Sequence, residues 1–194
     1  MRKKIKFSLL ALGLTTLFTL QGCTVVALSS AVAVGASSSS DPRSVGTQID
    51  DTNNALSIGN RITKIEGLSA ESNIDVELFN RQLLLTGQVT DAKWLKQIDA
   101  AVKQNTYIKK YHNQIRIAPL ASAKQQAKDI IIANTIRAKL IADDKVSTSN
   151  MNVIVNNGEV FLMGLVTNQE ATIAVDIARN VNNVVRVNRV FEII

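Results

Sequence analysis

The feature that most constrains this chain is an internal repeat. Leu83–Thr90 reads LLLTGQVT, and Val160–Thr167 reads VFLMGLVT, matched without a gap. Upstream, Asn73-Ile74-Asp75-Val76 falls on Asn150-Met151-Asn152-Val153 at the same offset. Two copies of one supersecondary unit set the architecture before any other consideration. Each copy has about 65 residues, a size that buries only a modest share of its own surface, so the two are expected to lean on one another.

Both copies carry the same periodicities. Ile58, Ile62 and Ile65 in the first, and Ile132, Ile136 and Leu140 in the second, have helical spacing. Strict alternation follows at Ile74-x-Val76-x-Leu78 and at Met151-x-Val153-x-Val155, the mark of a half-buried strand. Asn156-Asn157-Gly158 is a strong hairpin signal, because Asn and Gly tolerate positive φ; Asn80-Arg81 is a weaker one. The returning strands are Leu83-x-Leu85-x-Gly87-x-Val89 and Val160-x-Leu162-x-Gly164-x-Val166. Thr167 and Glu170 form a capping box that opens a helix, with Ala174, Ile177 and Val181 inward; Thr90 opens its counterpart, with Leu95, Ile98 and Val102 inward. Strands over 114–117 and 187–193 close the units. The order αββαβ, twice, gives an α+β fold with a three-stranded mixed sheet packed on two helices in each unit. Gly87 and Gly164 are isolated strand glycines, which we assign a structural role in the close approach of neighbouring backbone.

The N-terminus is of another kind. Arg2, Lys3, Lys4 and Lys6 precede 14 uncharged residues, Phe7 to Leu20. That is the plan of a secretory signal, and it is short of the ~20 residues that span a bilayer. It ends on Leu20-Gln21-Gly22-Cys23, with the only cysteine of the chain. This sequence resembles the bacterial lipobox, which implies acylation of Cys23, cleavage before it, and a signal over residues 1–22. Thr24 in place of an aspartate resembles outer-membrane sorting in Gram-negative bacteria. Residues 23–51 are expected to be a lipid-anchored tether. Within it, 24–40 is small, uncharged and low in complexity, and would span roughly 25 Å if flexible.

Loss of the signal changes the charge argument. Of 22 basic residues four lie within it, leaving 18 against 16 acidic ones, a net of +2 in place of +6. The basic balance is therefore a targeting signature and no pointer to nucleic acid.

The cores LLLTGQVTDAKWLKQI and VFLMGLVTNQEATIAV resemble the BON domain of periplasmic and membrane-associated bacterial proteins. With the lipobox and the segment DPRSVGTQIDD, the whole chain resembles the dual BON-domain outer-membrane lipoproteins. The units then run over 52–118 and 123–194. The resemblance implies binding of anionic phospholipid, such as phosphatidylglycerol, and a role in outer-membrane integrity at cell-division sites. It also implies that the first helix of the second unit is the lipid-contacting surface.

The residue inventory speaks against catalysis. His112 is the sole histidine, and its expected place is on a surface or half-buried strand. No Ser-His-Asp or Cys-His set is left once Cys23 is acylated. No His/Cys cluster has metal spacing, Asp143-Asp144 reads as a solvated turn, and no phosphate loop or other cofactor motif is present. One stretch stands out, KQQAKDIIIANTIRAKLI (124–141). On a helical wheel Ile130, Ile132, Ala133, Ile136, Leu140 and Ile141 share the core half. Ile131 projects opposite it, near Lys124, Lys128 and Thr135. Ile131 meets either membrane or the first unit. We assign Ile131, Lys124, Lys128 and Thr135 to membrane contact; the rival is an adaptor that docks an envelope protein on the same helix.

Overall fold

The computed structural model describes residues 41–194; the signal, Cys23 and residues 24–40 lie outside them. The first repeat is α1 (Val45–Thr63), β1 (Ser72–Phe79), β2 (Gln82–Val89), α2 (Lys93–Lys103) and β3 (Lys110–Ile117). The second is α3 (Ala123–Ile141), β4 (Met151–Asn156), β5 (Glu159–Val166), α4 (Asn168–Arg179) and β6 (Arg186–Ile193). Each forms a mixed sheet with its second strand in the middle, antiparallel to the first and parallel to the third. The α+β order expected from the repeat is what forms. At the ends, α2 begins at Lys93 after an N-cap at Ala92, so Thr90 does not open it. The Thr167–Glu170 capping box does open α4. Ile65 lies past the end of α1 but still packs on the core.

Alternation along the central strands sorts two sets of side chains. Leu83, Leu85 and Val89 face α1 and α2 in one core, and Val160, Leu162 and Val166 face α3 and α4 in the other. The intervening Leu84, Phe161, Met163 and Leu165 join Phe79 and Val190 in a third cluster between the two sheets. The layers therefore run helices, sheet, sheet, helices, and β2 is buried along its whole length. A strand covered on both faces needs a near-continuous apolar run, and Leu83-Leu84-Leu85 and Val160–Leu165 supply it. Polar side chains rim this contact. Asn152 donates to Glu77 at 2.5 Å, Gln82 and Asn80 donate to Glu192 at 3.0 Å, Gln88 donates to Asn156, and Arg116 pairs with Glu159 at 2.9 Å.

The two glycines sit against backbone at the start of the first strand of each sheet. A Cβ on Gly87 (φ +119°) would sit 1.9 Å from the Asn73 carbonyl oxygen, and one on Gly164 would sit 2.1 Å from that of Asn150.

A carboxylate on the first helix of each repeat binds the hairpin turn. Asp51, 1 % exposed, accepts from the amides of Asn80 (2.7 Å) and Arg81 (3.0 Å), and from Tyr107 Oη (3.1 Å) and Arg43 (2.8 Å). Burial, then the charge of Asp51, push the Tyr107 phenol up to about 12. Asp129, 7 % exposed, accepts from the amides of Asn157 (2.7 Å) and Gly158 (2.9 Å) and from Gln125 (2.9 Å). Asn80, Arg81 and Asn157 all have positive φ, a conformation costing a non-glycine residue about 1–2 kcal/mol; two amide bonds to a buried carboxylate offset it. The signal was present in the sequence as a charged residue at the same place in two otherwise apolar stripes, Asp51-Ala55-Ile58-Ile62 and Asp129-Ala133-Ile136-Leu140.

This carboxylate also corrects the expected tether. Helix α1 starts at Val45, with Ser44 capping the Thr47 amide, so residues 45–51 belong to the folded unit. Arg43 binds Asp41 and Asp51 and lies 3.7 Å over the Phe79 ring. The polar look of 41–51 comes from groups that pair with each other. We expect Asp51→Ala to cost about 3 kcal/mol, since it strips two part-buried amides of their acceptor and removes one of the two carboxylates that pair with Arg43, and Asp129→Ala to cost less, because no cation depends on it. Urea melts of the two variants check the order.

His112 is half-buried on β3 and pairs in register with Leu84, so its ring faces the second sheet. Its Nε2 is buried without a hydrogen-bond partner. Burial, and then the charge of Lys110, hold its pKa below the ordinary value. The unfolded chain therefore binds more protons just below about pH 6.5, and stability must fall as pH drops through that window. As the sole histidine, it should account for a loss in melting temperature between pH 7.5 and 5.5. His112→Gln should flatten that slope in a thermal melt. Burial raises the Glu77 carboxyl from its ordinary value, which acts in the opposite sense at lower pH.

Candidate functional site

Helix α3 starts at Ser122, whose hydroxyl accepts from the Gln125 amide at 3.2 Å. Its inner stripe is Asp129, Ile132, Ala133, Ile136 and Leu140. Ile130 and Ile141, expected on the core half, are 61 % and 70 % exposed. The correction has a geometric cause. A helix lying on a three-stranded sheet buries a narrow arc, and here Asp129 takes part of it to reach the hairpin turn. Ile130 and Ile141 flank that arc on the side of Arg137, whose guanidinium reaches over the edge of β4 to the Val153 carbonyl at 2.6 Å.

The opposite flank holds the four residues singled out from the sequence. Ile131 is 65 % exposed. Lys124 and Lys128 are exposed, and Thr135 is half-buried. The Thr135 hydroxyl donates to the Ile131 carbonyl at 2.8 Å, so it is satisfied within the helix and contributes a methyl group and a flat surface. Lys128, Ile131 and Thr135 line a shallow depression of about 380 Å³, and Lys124 lies outside it. Two contributors were missed: Lys139, and the loop Asn180–Asn183, which forms the far wall. The loop could not have been found from α3 alone, since it follows α4.

The electrostatics of this flank follow from Asp129. It is the only acid on α3, and it points inward with both oxygens hydrogen-bonded. The outer surface of α3 is thus left with Lys124, Lys128, Arg137 and Lys139 and no anion of its own. Side chains of this kind can receive anionic headgroups while the exposed isoleucine enters the acyl boundary. Among the described residues no three His, Cys, Asp or Glu side chains converge on a metal-sized site. No described helix is long and apolar enough to cross a membrane. Ile131, 65 % exposed, belongs to none of the buried clusters, and the core contact between the repeats is made by the sheets.

The family model for the BON domain matches twice, over residues 50–119 and 128–194. The outer membrane lipoprotein DolP of Haemophilus influenzae is 34 % identical over 183 residues, 94 % of each chain. A 21 kDa hemolysin of Actinobacillus pleuropneumoniae is 34 % identical over 153 residues, 77 % of each. Among solved structures, the C-terminal domain of CdsD, a structural protein of the type III secretion system of Chlamydia trachomatis, is 13 % identical over 72 % of this chain and 96 % of that one, with a TM-score of 0.31. That likeness is too loose to bear on the site. Two matched repeats that form back-to-back αββαβ units, with the DolP likeness running through nearly the whole chain, place it in one family: it belongs to the BON-domain proteins, as a two-repeat member of the DolP type.

Proposed function

We propose that this chain is a lipid-anchored, non-enzymatic protein on the periplasmic face of the outer membrane, and that its second repeat reads anionic phospholipid through the outer flank of α3. The observation that carries this reading is the exposed Ile131 set among Lys124, Lys128 and Lys139, with the helix's only carboxylate turned inward. The lipobox at Cys23 and the likeness to DolP, an outer membrane lipoprotein in Haemophilus influenzae, support the location. A part in outer-membrane integrity and division-site placement rests on the family resemblance.

Magnitudes explain why anchor and helix would work together. Burying one isoleucine contributes about 2 kcal/mol, and each lysine near an anionic surface about 1 kcal/mol. The sum, about 5 kcal/mol, corresponds to a Kd of roughly 0.2 mM. That leaves a free protein largely unbound below about 0.1 mM lipid and is sufficient for one already tethered to the bilayer, where local concentration is in the millimolar range. The anchor holds the chain at the membrane, and the helix orients it and selects the headgroup.

The test is flotation of the 41–194 fragment with vesicles at millimolar lipid. It should float with phosphatidylglycerol vesicles and stay behind with phosphatidylcholine. Equal behaviour with both would remove the headgroup reading and leave the adaptor reading in its place. For the anchor, intact mass of the membrane-extracted protein should show a chain starting at an acylated Cys23; an unmodified thiol contradicts it.

A further inference from the structure

The two repeats differ at one sheet edge. Strands β1 and β4 lie at the edges of their sheets. Both hairpins close on two-residue turns, so Phe79–Gln82 and Asn156–Glu159 are hydrogen-bonded pairs. Counting back by twos, the backbone groups of Ile74, Val76 and Leu78, and those of Met151, Val153 and Val155, point away from the sheet. On β4 this edge is covered, because Arg137 occupies the Val153 carbonyl. Aligning α1 on α3 through Asp51 and Asp129 places Gly59 opposite Arg137. The Val76 carbonyl, counterpart of that of Val153, receives no donor among the described residues.

Gly59 has no explanation within its own fold. It lies in the interior of α1, where glycine weakens a helix, and a Cβ added to it would meet nothing within 4 Å. The open edge faces a groove of about 760 Å³. Asp75, Val76 and Glu77 form one wall, and Ile130, Arg137 and Ile141 contribute the other. Asp75 and Glu77 accept from the side-chain carboxamides of Asn156 and Asn152 respectively. Neither carboxylate makes a close ion pair among the described residues, although the charges of Arg43 and Arg137 reach Glu77; Asp75 is the more open of the two.

We propose that the edge of β1 is a docking site for an extended peptide segment of a partner protein, added as a fourth strand, with basic side chains toward Asp75 and Glu77. Strand addition takes its affinity from main-chain hydrogen bonds and its specificity from alternate side chains. Charge selects the occupant. A second copy pairing antiparallel about Val76 would set Asp75 directly opposite Glu77 of its mate, and facing like charges destabilise a ladder. A strand with lysine or arginine at alternate positions meets both carboxylates favourably. The site lies on the first repeat and the groove, away from Ile131, and does not depend on lipid.

The test uses the mature chain in zwitterionic detergent micelles and a fluorescein-labelled, end-capped octapeptide of alternating lysine and valine, read by anisotropy. Saturable binding is expected. It should fall at least tenfold when the valine amides of the peptide are N-methylated, and when glutamate replaces lysine. Gly59→Arg transfers the second repeat's cover to the first; it should leave the melting temperature unchanged or higher and weaken binding at least tenfold. The proposal is overturned if no saturable binding occurs, or if the N-methylated peptide binds as well as its parent. It is equally overturned if Gly59→Arg binds like the unaltered chain, or if the protein alone forms a dimer that Gly59→Arg abolishes, which would make a second copy the occupant.

Discussion

Gly87→Val should leave the first repeat unable to close its sheet. The first atom of any side chain at this position falls 1.9 Å from the Asn73 carbonyl oxygen, 2.9 Å from its carbon and 3.0 Å from the Ile74 Cα. All three belong to backbone, so no rotamer change relieves the contact; β1 must move away from β2. Valine also opposes the φ of +119°. Overpacking ordinarily costs about 1–3 kcal/mol. Here the yielding element is a strand that helps bury Leu78 and Phe79, so a loss above ~3 kcal/mol is expected, a large share of the 5–15 kcal/mol typical of a domain. Gly164→Val should do the same to the second repeat, where the Asn150 carbonyl oxygen is 2.1 Å away. Gly59→Ala supplies the contrast: its Cβ enters open space, and the gain in helix propensity is about 1 kcal/mol. Urea denaturation of the three variants gives the ranking. Unchanged midpoints in both valine variants would mean the strands have room that the geometry denies.

Much of this fold was legible because its signals are local and occur twice. The alternation in Ile74–Leu78 and Met151–Val155, the Asn157-Gly158 turn and the Thr167–Glu170 box each act over a few residues, and the repeat confirms each reading. What could not be read locally depends on the packing of one layer on another. Ile130 and Ile141 have core spacing on a wheel, yet the arc that meets the sheet is narrower than an apolar half, and Asp129 claims part of it. Asp51 looked like the end of a polar tether because its partners, the Asn80 and Arg81 amides, are 29 and 30 residues away. The back-to-back sheets were foreshadowed in Leu84, Phe161 and Met163, which break strict alternation with apolar residues where a solvent-facing sheet would be polar. Of the candidate lipid-facing residues, Ile131, Lys128 and Thr135 come together as their spacing implies. Lys139 and the Asn180–Asn183 loop join them only through the tertiary fold.

Ile131→Glu should abolish flotation with phosphatidylglycerol vesicles while the protein stays folded. The substitution removes about 2 kcal/mol of insertion and sets a negative charge against the anionic surface for about 1 kcal/mol more. A loss near 3 kcal/mol is roughly 150-fold. Folding should be untouched, since Ile131 is 65 % exposed and glutamate is a good helix former. Lys128→Glu reverses one charge and should weaken binding less, about 30-fold. Salt should imitate it, because the Debye length is about 3 Å at 1 M. Ile132→Glu is the control. Ile132 is 4 % exposed within the cluster of Ile136, Leu162 and Val166, so a carboxylate there should unfold the repeat. If Ile131→Glu and Ile132→Glu lose stability equally, Ile131 is part of the core and the lipid reading fails.

The central claim, that one flank of α3 meets lipid, is tested most directly by an amide chemical-shift map of the 41–194 fragment titrated with phosphatidylglycerol micelles. The account predicts perturbations concentrated at Lys124, Lys128, Ile131, Thr135 and Lys139, extending across the Asn180–Asn183 loop and sparing Ile130, Arg137 and Ile141 on the groove side. Perturbations centred on that groove side, or absent from α3, would contradict it.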